Sequence, residues 1–262
     1  MRTGPGLIHT SHGWKTAVRG ASPLRAETRA ALRPPRGPDF GYNAKTQMGT
    51  MYALSFDPAA VRKAYAASVN GFLSLCAQLE AGDWDKPGLE AWNVRTLVGH
   101  TSRSLTTVLD YLVAGANKPI TLHHAFDYYP AINVQFANAD TAALARARQA
   151  GESMGADPIL FLDELAREVL AQVQARADEA PAATLVGVMR LIDYLPTRIF
   201  ELVVHSADLA LATGRHYRPD AQASLIAWSL GAAVAALSPE PMPALLALTG
   251  RGPLPPGFSV VI

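Results

Sequence analysis

A narrow polar stripe carries the first chemical signal in the chain. Arg198, Glu201, His205 and Asp208 lie in the stretch Tyr194-Leu-Pro-Thr-Arg-Ile-Phe-Glu-Leu-Val-Val-His-Ser-Ala-Asp208. On a helix these side chains fall in a sector roughly 80° wide, and the apolar and small residues around them span roughly 220°. A helix lying on a surface needs an apolar stripe of only about 100°. This helix is therefore expected to be largely buried, with a polar sector too narrow for an ordinary wet face. Glu201 and His205 are four residues apart, which puts their Cβ atoms about 5–6 Å from each other. A carboxylate and an imidazole so placed can share a metal ion, or can form a hydrogen-bonded pair without one. A second stripe joins Thr96, His100, Arg103, Ser104 and Thr107. Alone, His100 reads as a satisfied core histidine. Opposite Glu201 and His205 it completes a His₂Glu set. Three N/O ligands with an open position form the pattern of catalytic zinc. Iron(II) and nickel(II) remain alternatives, because such ligands discriminate weakly among these ions.

Long helices must position these groups. Asp57 as N-cap and Pro58 at the first helical position start one helix. Its stripe is Val61, Tyr65, Val69, Phe72, Leu73, Cys76 and Leu79, and Gly82 ends it. A second follows Asn93 as N-cap and reaches about Gly115, with Leu97, Leu105, Val108, Leu109 and Leu112 facing the core. Residues 116–138 read as a loop with Pro119 and Pro130 as breakers, and residues 139–150 as a short Ala-rich helix. A third long helix starts at Asp157-Pro158 and runs to about Ala180. The fourth starts near Thr184 or later and ends at Thr213, stopped by Gly214. Pro196 should kink it or mark its true first turn. Shorter helices are expected over 219–237 and 240–249. Strand composition is confined to the last five residues, Phe258 to Ile262. The expected fold class is all-α, a four-helix bundle (51–215) with a short helical C-terminal extension (216–262).

Bulk composition narrows the function classes. The chain has 262 residues and a formal net charge of +1, which gives no case for nucleic acid or an anionic membrane as partner. The single cysteine, Cys76, excludes an intrachain disulfide and suits a reducing cytoplasm. It lies on the core stripe and reads as a small buried hydrophobe. No apolar run reaches the roughly 18 residues of a membrane span. Residues 1–50 hold eight Lys/Arg against two Asp/Glu, with Gly and Pro in abundance. This segment reads as a disordered basic extension. Met48 or Met51 is the expected true start.

At the same residues the chain resembles a known family. Trp92-Asn-Val-Arg-Thr-Leu-Val-Gly-His100 is similar to the W-x-V-x-x-L-x-x-H segment of the mycothiol-dependent maleylpyruvate isomerase metal-binding domain, a DinB-like bundle. Glu201 to Gly214 is similar to its second signature, E-x-x-x-H-x-x-D-x-x-x-A-x-G. The resemblance spans about residues 55–215 and implies His100, Glu201 and His205 as metal ligands. It also implies a zinc ion whose open position receives mycothiol or another small thiol together with a small-molecule substrate. Isomerisation or S-transfer is the implied chemistry, and a non-catalytic metal-binding stress or regulatory protein is the alternative. Leu245-Leu-Ala-Leu-Thr-Gly-Arg251 resembles the family's L-x-x-L-x-G-R element. This makes Arg251 a candidate catalytic residue that clamps a substrate carboxylate. His123 and His124 lie in a loop outside the resemblance. They are candidates for a further ligand or a substrate contact, with solvated loop histidines as the alternative.

Overall fold

The computed structural model describes residues 55–136 and 140–260. In chain order the elements are α1 (Pro58–Cys76), α2 (Val94–Gly115), α3 (Tyr128–Phe136), α4 (Asp140–Ser153) and α5 (Pro158–Ala175). A hairpin of β1 (Pro181–Thr184) and β2 (Gly187–Arg190) follows, then α6 (Leu191–Thr213), α7 (Ala221–Leu237) and α8 (Met242–Leu248). The long helices close a ring in which α1 packs on α6, α6 on α2, α2 on α5 and α5 on α1. The all-α expectation holds. The basic segment 1–50, with Met48 and Met51, lies outside the described residues.

Local chemistry explains most of the helix starts. Asp57 accepts a hydrogen bond from the Ala60 amide, Asn93 from Thr96 and Asp157 from Leu160, at 2.8 to 3.0 Å. Each cap satisfies an amide that the first turn leaves free. Gly214 adopts φ 66° as the residue after α6, a conformation in which a Cβ would be strained. The expected stripes are the core: Val61, Tyr65, Val69, Phe72 and Cys76 on α1 and Leu97, Leu105, Val108 and Leu112 on α2 are buried. Leu73, Leu79 and Leu109 pack half-buried at its edge. Burial pushes the Cys76 thiol well above its ordinary pKa, as befits an inert core residue.

Several boundaries differ from expectation. The α1 helix ends at Cys76, and the chain turns through a 3-10 segment, Ala81–Asp83, before Trp84. Pro130 breaks nothing, because it is the third residue of α3. In the first turn its missing N–H removes no helical bond. The third long helix stops at Ala175 rather than about Ala180, and a hairpin with a two-residue turn, which the sequence did not predict, precedes α6 at Leu191. Leu185 and Val186, at the hairpin's tip, are not the Asn-Gly or Asp-Gly pair that usually signals such a turn. The start of α6 has no side-chain cap. Instead the Leu191 and Ile192 amides donate to the carbonyls of Ala180 and Asp178 at 2.7 and 3.1 Å. Pro196 sits inside the second turn of α6, so it is not the first turn. Phe258–Val260 is not a strand, and residues 261–262 lie outside the described set.

Two close approaches fix α2. A Cβ on Gly99 would lie 2.2 Å from the Gly151 nitrogen on α4, and one on Gly115 would lie 2.1 Å from the Pro181 carbonyl oxygen. The helix that carries His100 is thus clamped between α4 and the hairpin at contacts only glycine permits.

Candidate metal centre

His100 on α2 faces Glu201 and His205 on α6. The three can each offer one ligand atom, and these atoms lie within 4.8 Å of one another. The His205 Nε2 and Glu201 Oε2 are 3.2 Å apart. The His100 and His205 rings meet edge to face with centroids 4.8 Å apart. Bonds of about 2.0–2.1 Å from a tetrahedral zinc would put ligand atoms roughly 3.4 Å from each other. The donor set therefore fits a divalent ion after small side-chain rotations. His205 and Glu201 keep 14 % and 19 % of their side-chain surface exposed, enough for an ion to enter and too little for a freely solvated face.

Outer contacts orient the donors. Asp208 Oδ2 lies 3.0 Å from His205 Nδ1. This fixes the ring and leaves Nε2 for the centre, the arrangement usual around metal-bound histidines. The Tyr129 hydroxyl donates to Glu201 Oε1 at 3.0 Å, so Oε2 is the oxygen turned to His205. Trp92 packs on the other side of His100, with ring centroids 4.7 Å apart. A Pro87–Asn93 bridge and the Gly88 amide bonded to the Trp92 carbonyl at 2.8 Å hold the Trp92 loop. Arg215, just beyond α6, secures the same loop through Asp83 at 2.7 Å and the Gln78 carbonyl.

The electrostatics suit a site that exchanges a proton for an ion. Burial, reinforced by the neighbouring His205, holds His100 down at about 3. Burial would also lower His205, but its hydrogen bonds to Asp208 and Glu201 prevail and raise it to about 9. Burial would raise Glu201, yet the His205 hydrogen bond and the Arg198 charge lower it to about 2. Burial and the adjacent Glu201 charge keep Tyr129 protonated and able to donate. The metal-free site at neutral pH is thus neutral His100, ionised Glu201 and protonated His205. Coordination requires neutral imidazole. Each ion should displace about one proton, and metal affinity should rise about tenfold per pH unit up to about 9 and level off above it. Calorimetry at pH 7 in buffers of different ionisation enthalpy measures that proton. A result of zero protons released contradicts the assignment.

Some sequence candidates converge here and others do not. Arg251 is exposed, and its Nη1 donates to the Thr249 carbonyl at 3.2 Å. Its segment is nonetheless near α6: Leu248 and Leu254 line an apolar cavity of about 530 Å³ with Phe200 and Val204, the sequence neighbours of Glu201 and His205. His123 is exposed. His124 stacks on Phe126, with centroids 5.0 Å apart, and its amide donates to Asp127. Neither belongs to the ligating group among the described residues. Sequence reasoning missed Tyr129, because residues 116–138 read as a loop and no polar stripe marks it, although it is the second residue of α3. The stripe on α6 already contained Asp208 and Arg198, but spacing alone gave them no role. Replacing Tyr129 by Phe removes the hydroxyl with little change of shape. It should weaken metal binding by about tenfold with little loss of stability, measured against a chromophoric chelator.

No curated protein and no solved structure shows a significant match to the chain. Residues 65–210 match the mycothiol maleylpyruvate isomerase N-terminal domain, a DinB-like helical domain. That match covers α2, α5 and most of α1 and α6, the helices that form the bundle and carry the His₂Glu cluster. The chain therefore belongs to the mycothiol maleylpyruvate isomerase N-terminal domain family.

Proposed function

We propose that this protein holds a divalent metal ion, zinc foremost, through His100, Glu201 and His205, and that it works on a small-molecule substrate with a low-molecular-weight thiol, as an isomerase or S-transferase. The observation that carries this reading is the convergence of three N/O donors from two helices, each fixed by a partner outside the set. Family membership supports a thiol of the mycothiol type. A bound zinc ion would supply Lewis acidity and favour the thiolate form of a small thiol. The chain's own residues do the rest. Asp208 and Tyr129 hold the ligand atoms in place. Trp92 shields His100 on one side, and the partial exposure of Glu201 and His205 leaves a route for small molecules. Arg251 is included in this proposal as a carboxylate contact, supported by the packing of its segment along Phe200 and Val204.

Elemental analysis of the purified protein, before and after reconstitution, comes first. Well below one equivalent of zinc, iron or nickel under both conditions would falsify the metal centre. Thiol-consumption assays with mycothiol, bacillithiol and glutathione across electrophiles and cis-dienoic acids come second. Metal-loaded protein that is silent with all three thiols points to the non-catalytic role. Arg251→Ala should depress turnover without changing metal content, and unchanged turnover removes Arg251 from the site.

A further inference from the structure

Arg198 is a buried charge that metal binding leaves unused. It lies one turn before Glu201 on α6 and keeps 7 % exposure. Its Cζ sits 5.2 Å from the Tyr128 ring centroid and 4.9 Å from that of Tyr194. Its Nε donates to Thr197 Oγ1 at 3.0 Å. Among the described residues, neither terminal nitrogen donates a hydrogen bond and no carboxylate lies within ion-pair distance. Glu201, the nearest acid along α6, is engaged with Tyr129 and His205. The terminal nitrogens of Arg198 are also not among the described polar atoms that are both sealed from solvent and unpartnered. They therefore border accessible space.

A guanidinium buried with no carboxylate at ion-pair distance is costly, and aromatic faces and the more distant Glu201 charge offset only part of that cost. The arrangement makes sense if an anion completes it. The guanidinium sits over the faces of the two tyrosine rings, and its terminal N–H groups have no acceptor among the described residues. Two parallel N–H groups on a guanidinium edge match a carboxylate in a way an ammonium cannot.

We infer that Arg198 anchors a carboxylate of the molecule bound at the centre, while a second donor of that molecule is directed at the metal. This rests on the metal reading above. Its test keeps the two apart. Full-length protein loaded with cobalt(II) is titrated with 3-mercaptopropionate and with 2-mercaptoethanol, and the thiolate-to-cobalt absorption is followed. The acid should bind about tenfold or more tightly than the alcohol, a charge-assisted hydrogen bond being worth at least that. The preference should vanish in Arg198→Gln and shrink in Arg198→Lys, with cobalt content unchanged. Equal affinities in the unmodified protein overturn the Arg198 assignment, whether or not the variants fold. Cobalt uptake without a thiolate band from either thiol overturns it too. Failure to take up cobalt removes the metal reading, and this inference with it. Inorganic phosphate that competes as well as propionate would mark a general anion site and sink the carboxylate assignment.

Discussion

Replacing His205 by alanine should strip the protein of stoichiometric metal while leaving the bundle folded. The magnitude follows from the ligand count. Structural zinc sites with four ligands bind with about 10–16 kcal/mol, or roughly 3 kcal/mol per ligand, so losing one weakens binding on the order of a hundredfold. His205 also holds Glu201, and its loss leaves that carboxylate bonded to Tyr129 and without the imidazolium beside it. Elemental analysis after dialysis against a weak chelator reads the loss. Retention of a full equivalent by the variant contradicts the ligand assignment. The metal-free proteins should differ in a pH-dependent way. The folded-state pKa of His205 is raised from 6.5 to about 9, because its bonds to Asp208 and Glu201 outweigh the opposing effect of burial. The protonated imidazole therefore contributes stability that is full below pH 6.5 and is lost as pH rises through about 9. The stability gap between metal-free wild type and His205→Ala should narrow over that window, as urea denaturation at pH 6 and pH 9.5 would show.

The second large effect is expected at Gly99. An alanine Cβ there would lie 2.2 Å from the Gly151 nitrogen and 2.5 Å from its Cα. These are backbone atoms of α4 and cannot rotate away, so one helix must move. Overpacking of this kind costs about 1–3 kcal/mol, and a backbone clash belongs at the upper end. For a protein of this size that lowers Tm by roughly 5–12 °C. The displacement also reaches the centre, since His100 is the next residue and its position depends on how α2 lies against α6. Gly99→Ala should therefore lose metal affinity as well as stability. Gly82→Ala is the control, because a Cβ there meets nothing within 4 Å. Equal melting temperatures for the two variants would contradict the close α2–α4 contact.

Arg198, Glu201, His205 and Asp208 were visible in the sequence as one stripe because helical periodicity places them together without help from the rest of the fold. The caps Asp57, Asn93 and Asp157 were equally legible, since a side chain bonding to an amide three residues on is a local event. The α6 start was not legible. Its first amides are satisfied by Ala180 and Asp178 across a hairpin whose tip lacks the usual turn residues. Tyr129 was invisible as a site residue for a similar reason. Its hydroxyl reaches Glu201 from 72 positions away, and no periodicity links the two.

What the sequence determined by itself was the set of periodic faces: the apolar faces of the first, second and fourth long helices, two polar stripes, and the spacing of Glu201 and His205. The tertiary structure decided that the two polar stripes face each other, that Asp208 and Tyr129 orient the ligand atoms, and that Arg198 is buried against two tyrosine rings with no carboxylate at ion-pair distance among the described residues. The physical reason is range. Helical periodicity and capping act over a turn or two of chain, whereas the contacts that orient the centre join residues far apart in sequence and exist only once the helices have packed.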